Sequence, residues 1–244
     1  MDKITVHFHA FYIDELIFYL RQIEKVKSLD SLLITTNPNK ISAIEATLKN
    51  YWFENKTKII AVQNYGVNVY PLIKIFLDKH LVEEGYLLHI HTKKSKHVSF
   101  GKKWKNYLIN NLLGSRRNID EIISIFKNDQ SLELLYPHPY RRVKNYKDKN
   151  LGLVNKILEK NYLPAVNHIK VSEYPTGMMF WARTGTLLKL ARLNANMEEF
   201  KHCNTAVDNT ICHAYERLIG LLVKPEQKKL HRRNYFKEII AWIK

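Results

Sequence analysis

Over its first hundred residues the chain alternates between two hydrophobic periods. From Ile4 to Phe11, Val6, Phe8 and Ala10 point one way and His7 and His9 the other, the period-two pattern of a strand with one polar face. After Asp14 the apolar residues Leu16, Ile17, Leu20 and Ile23 recur at helical spacing. The cycle then repeats, predicting strands over Ser31 to Thr35, Lys58 to Val62 and Tyr86 to His91, and helices over Ile41 to Trp52 and Val69 to Leu81. Such a β-α-β order predicts an α/β fold with a mostly parallel, Rossmann-type sheet wound with helices. Ligands of these sheets bind at the carboxyl ends of the strands, so chemistry is expected near residues 10–14, 35–39, 63–69 and 91–100.

The C-terminal half is less regular and more elaborated. Helices are predicted near Lys103 to Leu113, Ile119 to Phe126, Thr186 to Leu193 and Ile211 to Leu222, with strands near Leu132 to Leu135 and Met178 to Ala182. No repeat or low-complexity linker separates the halves, so residues 1–244 are expected to form one domain.

Composition narrows the partners. At 45% hydrophobic and 25% charged the chain is a foldable globular sequence. Its 39 basic and 23 acidic residues give a net charge of +16, which favours a polyanionic, phosphate-bearing or anionic-membrane partner. Cys203 and Cys212 are too few for a disulfide framework and form no CxxC pair, so a reducing cytoplasm is the expected setting. No signal peptide is expected before the first strand, and apolar runs such as Leu218 to Val223 are far too short to span a bilayer.

The densest chemical signal is HIHTKKS at 89–95, after the apolar Tyr86 to Leu88. Alternation puts His89 and His91 on one face, and Thr92, Lys93 and Lys94 enter the following loop. Two histidines at this spacing suit zinc, but the adjacent lysines repel a dication and no third ligand is evident. The plain alternative is a pair of packed histidines beside a solvated loop. In the turn Asn64-Tyr65-Gly66-Val67-Asn68, Gly66 permits a positive φ, and Asn64 and Asn68 offer amides to a sugar or base. In PTGMMFWAR at 175–183, Gly177 marks a turn, Trp181 offers an apolar platform and Arg183 a guanidinium fork for phosphate. In DNTICHAYER at 208–217, Asp208 is the expected N-cap, with His213 and Glu216 on the helix that follows. There Asp208 or Glu216 would receive an acceptor proton while His213 orients donor or acceptor.

Together HIHTKKS, WKNYLINNLLGS at 104–115, PTGMMFWAR and DNTICHAYER resemble the rhamnan synthesis F (RgpF-like) family of bacterial cell-surface polysaccharide proteins, with weaker support from NYGVN at 64–68 and VHFHAFY at 6–12. The resemblance implies a glycosyltransferase taking a nucleotide diphosphate-sugar donor and a lipid-linked or polysaccharide acceptor, and a broader analogy, at fold level only, makes the expected fold GT-A-like. Residues 1–100 would bind the donor through His7, His9, Asn64, Gly66, Asn68, His89, His91, Thr92, Lys93 and Lys94, joined by Arg183 from the second half. Residues 101–244 would hold the acceptor through Gly177 and Trp181, with Asp208, His213 and Glu216 catalytic. GT-A transferases of similar winding carry an acidic metal-binding pair where this chain has Lys93 and Lys94. Two ammonium groups can neutralise a departing diphosphate directly, so no cofactor is expected and Mg or Mn is not favoured. Two departures from the family stand out: Asn68 replaces its usual aspartate, and Asn209 replaces the glycine of its Asp-Gly-Thr.

A nucleic-acid or polyanion-binding protein is the alternative that charge and aromatic content suggest, but no RRM, KH, helix-turn-helix or zinc-finger pattern is present, and no nucleic acid is expected as partner. The basic, aromatic tail from Lys228 to Trp242 suits a short helix seated on an anionic inner membrane surface or packed on the domain.

Overall fold

The computed structural model describes residues 3–63, 65–78, 81–92, 94, 98–143, 149–193, 197–203 and 209–231. The first half follows the predicted order: β1 (Lys3–His9), α1 (Leu16–Ile23), β2 (Ser31–Thr36), α2 (Ile41–Leu48), β3 (Thr57–Ala61), α3 (Val69–Leu77) and β4 (Gly85–His91). The second half contributes α4 (Gly101–Leu113), α5 (Arg116–Asn128), β5 (Leu134–Pro137), α6 (Leu151–Lys160), β6 (Phe180–Arg183), α7 (Thr184–Ala191), α8 (Ile211–Leu221) and β7 (Lys228–His231).

Among the described residues the strands form one seven-stranded sheet in the order β3-β2-β1-β4-β6-β5-β7. β1, β2, β3 and β4 run parallel, while β6 runs antiparallel to both β4 and β5. The sheet is therefore mixed and mostly parallel, an α/β fold of Rossmann-like winding. Successive side chains on a strand alternate between two apolar layers. Val6, Phe8, Leu88, Ile90 and Trp181 pack with α1, α2, α4 and α5 on one face. Leu33, Leu87, Phe180 and Ala182 pack with α3, α6, α7 and α8 on the other. The chain leaves β1 towards β2 and returns from β3 to β4 on the opposite side of β1. The seam between β1 and β4 is thus the topological switch point, where such sheets open a crevice.

Three features differ from expectation. Lys228–His231 is a strand paired in parallel with β5, so this part of the basic tail belongs to the sheet and not to a surface helix; residues 232–244 lie outside the described residues. Cys203 and Cys212, nine residues apart in sequence, are joined as a disulfide, their Cα atoms 6.1 Å apart, because the start of α8 sets Cys212 beside Cys203 in one buried apolar layer. The N-cap of α8 is Thr210, whose hydroxyl accepts from the His213 amide, and not Asp208. No helix among the described residues is long and apolar enough to cross a membrane.

Candidate functional site

Parallel pairing at the switch point aligns His7 with His89 and His9 with His91, and it places Thr35 beside His9 on the other flank. All four imidazoles project from the same face of the sheet at its carboxyl edge and are at least nine-tenths buried. The Nδ1 atoms of His7 and His89 are 2.9 Å apart and the two rings stack with centroids 4.9 Å apart. The Thr35 hydroxyl bridges His7 Nε2, at 2.9 Å, and His9 Nδ1, at 3.0 Å. Asn68 Nδ2 lies 3.4 Å from His89 Nε2, and His91 Nε2 donates to the Gly177 carbonyl at 3.0 Å.

Such surroundings disfavour charge on the rings. Burial is the main force holding His7 and His89 well below the ordinary imidazole range, and repulsion from neighbouring histidines adds to it. His9 is lowered to about 4, chiefly by burial, with Lys40 contributing and the Thr35 contact opposing. At neutral pH these three rings are uncharged and work as hydrogen-bonding groups.

The loops beyond the strands carry the cationic side chains. Thr92 ties two of them together, its hydroxyl accepting from the amides of Phe11 and Tyr12 at 2.9 Å each. Lys94 follows on that loop, pairs with Asp14 and stands 4.7 Å over the Tyr12 ring. Lys40 reaches the same edge, where it donates to the Phe11 carbonyl and lies 4.3 Å over that ring. Gly66 holds the turn before α3 at φ +71°; its amide donates to the Phe200 carbonyl, and its carbonyl accepts from Val69 and Tyr70, which seats Asn68. Asn209 adopts φ +58°, the left-handed backbone that a glycine would take there.

The fold thus gathers His7, His9, His89, His91, Asn68, Thr92, Lys94 and Gly177 from four separate segments. Gly177, expected on the acceptor side, meets the donor set directly through its carbonyl. On α8, His213 Nδ1 is 2.8 Å from the Thr210 hydroxyl, and Glu216 accepts from Arg217 Nη1 at 3.2 Å. Further along that helix the Arg217 guanidinium lies 4.8 Å over the Tyr174 ring. Asn64, Lys93 and Asp208 lie outside the described residues.

Two expected residues are elsewhere. Because β6 is antiparallel, Phe180 sits beside His89 while Arg183 pairs with Tyr86 at the amino edge. There Arg183 donates to the Leu132 and Phe126 carbonyls, both at 2.8 Å, and so closes the end of α5 rather than binding phosphate. Trp181 is completely buried on the opposite face from the histidines, and its indole donates to the Leu112 carbonyl at 3.3 Å, so it presents no platform to an acceptor. Thr35 and Lys40 are not among the residues the sequence singles out: Thr35 ends the second predicted strand where the 35–39 turn begins, and Lys40 follows that turn.

Among the described residues no group of three or more His, Cys, Asp and Glu side chains is arranged to hold a metal ion.

The family model for rhamnan synthesis protein F matches residues 1–228. The protein WxcX of Xanthomonas campestris pv. campestris, in strains B100 and ATCC 33913, is 26% identical over 220 residues. That alignment covers 88% of this chain and 30% of WxcX, so the chain spans under a third of the length of these relatives. Among solved structures, 4-diphosphocytidyl-2C-methyl-D-erythritol synthase from Anaerococcus prevotii is 8% identical with a TM-score of 0.50, covering 99% of this chain and 96% of its own. A CMP:2-keto-3-deoxy-manno-octonic acid synthetase complexed with CTP is 9% identical with a TM-score of 0.43, covering 81% of this chain and 80% of its own.

Proposed function

Because the chain belongs to the rhamnan synthesis protein F family, we propose that it is a glycosyltransferase that moves a sugar from a nucleotide diphosphate donor to a lipid-linked or growing surface polysaccharide. The observation that carries this reading is the placement of the histidine cluster at the β1–β4 switch point, with Lys40 and Lys94 on the loops around it. A nucleotide at that edge agrees, as a fold-level analogy, with the synthase whose structure the chain resembles.

In the proposed reaction the bond between the donor's anomeric carbon and its diphosphate oxygen breaks. A bond from the acceptor oxygen to that carbon forms, and the acceptor proton passes to a base. Lys40, Lys93 and Lys94 would face the charge that grows on the diphosphate, with N–H groups of the histidine cluster as neutral donors. Of the two carboxylates proposed for the acceptor proton, Glu216 is engaged by Arg217, so the role falls to Asp208, with His213 orienting the acceptor. A polyprenyl-linked acceptor would bring the chain to the inner face of the cytoplasmic membrane, with residues 232–244 as the proposed peripheral contact.

The test is purified protein with a panel of UDP-, GDP-, dTDP- and CMP-sugars, with and without EDTA. Donor binding, hydrolysis or transfer that persists in EDTA is expected. No response to any donor would overturn the assignment, and loss of activity in EDTA would overturn its metal-independent form.

A further inference from the structure

The buried contacts from Asn68 to His9 make one continuous chain, and the proton on each link can be assigned. A neutral imidazole has one N–H and one lone pair, so it donates through one nitrogen and accepts through the other. The Asn68 amide nitrogen can only donate, which makes His89 Nε2 the acceptor and puts the His89 proton on Nδ1. His89 Nδ1–H then donates to His7 Nδ1, so His7 carries its proton on Nε2 and donates to Thr35 Oγ1. The threonine hydroxyl has one proton, and with His7 already donating to its oxygen it gives that proton to His9 Nδ1. His9 is left with its N–H on Nε2, where no other group among the described residues meets it. Each link admits one direction once the first is set.

We propose that Asn68 is a positioning residue that fixes the direction of the chain Asn68–His89–His7–Thr35–His9, so that His9 Nε2 presents an N–H to a phosphate oxygen of the bound ligand. The ligand class rests on the nucleotide-sugar reading above; the direction of the chain does not. Burial of His7 and His89 supports the assignment, since both rings stay neutral and cannot donate at both nitrogens. A carboxylate at position 68 would accept from His89 Nε2 and reverse every link. His9 would then offer a lone pair to the ligand, so the N–H that meets a phosphate oxygen is particular to this chain, in which Asn68 stands where the family usually has aspartate.

Two-bond proton–nitrogen correlation spectra of the full chain, labelled with 15N-histidine, read each tautomer directly. The native protein is expected to show His89 protonated on Nδ1, and His7 and His9 on Nε2. In Asn68→Asp, which keeps the side-chain shape, all three should switch together. Calorimetry with UDP and with inorganic pyrophosphate should show at least a tenfold loss of affinity in that variant. Native tautomers opposite to these, or tautomers unchanged in Asn68→Asp, would overturn the proposal, as would switched tautomers with unchanged affinity. Native protein that shows the assigned tautomers but binds neither probe would overturn the nucleotide reading and leave the direction of the chain standing.

Discussion

His7 and His89 face each other across the seam between β1 and β4, joined Nδ1 to Nδ1 at 2.9 Å. Their strands are distant in sequence, yet the parallel register puts the two rings directly opposite. Two imidazolium ions at that distance, buried together, would repel strongly, so the contact requires at least one ring to be neutral. The burial of both keeps both neutral at physiological pH.

Acidification should therefore unfold the protein earlier than its carboxylates alone would. His7, His9 and His89 have folded-state values below the ordinary 6.5, so the unfolded chain takes up protons that the folded chain refuses. Their stabilising contribution is complete above pH 6.5 and is lost as the pH falls towards about 4, where His9 titrates in the folded state. For His9 the shift corresponds to a loss on the order of 3 kcal/mol across that window. Urea midpoints should stay level from pH 7.5 to about 6.5 and decline from there to pH 4.5, and His9→Gln should make the decline shallower. A flat profile over that range would contradict neutral burial.

Asp14 holds Lys94 in an ion pair at the mouth of the proposed site. Asp14→Asn should release the ammonium group towards a diphosphate and tighten UDP binding, whereas Lys94→Ala should weaken it. The side chain of Asp14 is 66% exposed, so solvent screens the pair and each change should be modest, about two- to fivefold. Both shifts should shrink as salt is raised from 50 to 300 mM, a dependence that calorimetry can follow.

Much of this arrangement was legible in sequence, because the β-α-β pattern fixes which turns meet at the carboxyl edge. His89 and His91 were readable as one face of a strand, and the pairing of β1 with β4 then brings His7 and His9 to them. What sequence did not disclose was strand direction in the second half. Arg183 looks like a phosphate ligand at the end of a strand, but the antiparallel course of β6 carries it to the amino edge. Thr35 was hidden for another reason: a threonine that ends a strand has no distinctive spacing, and its role depends on two rings that a neighbouring strand supplies. Likewise β7 is only Lys228–His231, too short for its alternation to outweigh the basic, aromatic composition around it.

Trp181 should prove structural. Its ring is fully buried and its indole donates to the Leu112 carbonyl, at the end of α4. Truncation in Trp181→Ala should cost about 3 to 5 kcal/mol through the cavity left behind. Chemical denaturation measures that loss. UDP affinity of the folded fraction, measured well below the melting transition, should match the native protein within twofold.

The Cys203–Cys212 disulfide closes the loop that contains Asp208. A loop of this size should contribute about 2 to 3 kcal/mol by restricting the unfolded chain. Reduction with a phosphine should lower the melting temperature, and thiol titration of the denatured protein should rise from zero to two groups per chain. If Asp208 is the base, sugar transfer should fall with reduction while UDP binding is retained.

Gly66 links backbone geometry to the polar chain, and its replacement should damage both. It holds φ +71°, and a Cβ there would lie 2.2 Å from Tyr70 Cβ and 3.3 Å from Phe200 Cβ. The first of these contacts is to an atom fixed by the backbone of α3, so no side-chain rotation relieves it. Gly66→Ala must therefore move the start of α3, where Asn68 is the N-cap residue. The left-handed backbone alone should cost about 1 kcal/mol, and the clash adds to it. Because Asn68 meets His89 at 3.4 Å, already the longest link in the chain, a small displacement should break that contact first. Histidine spectra of Gly66→Ala should then show His7, His9 and His89 each as a mixture of tautomers, at temperatures where circular dichroism still reports a folded protein.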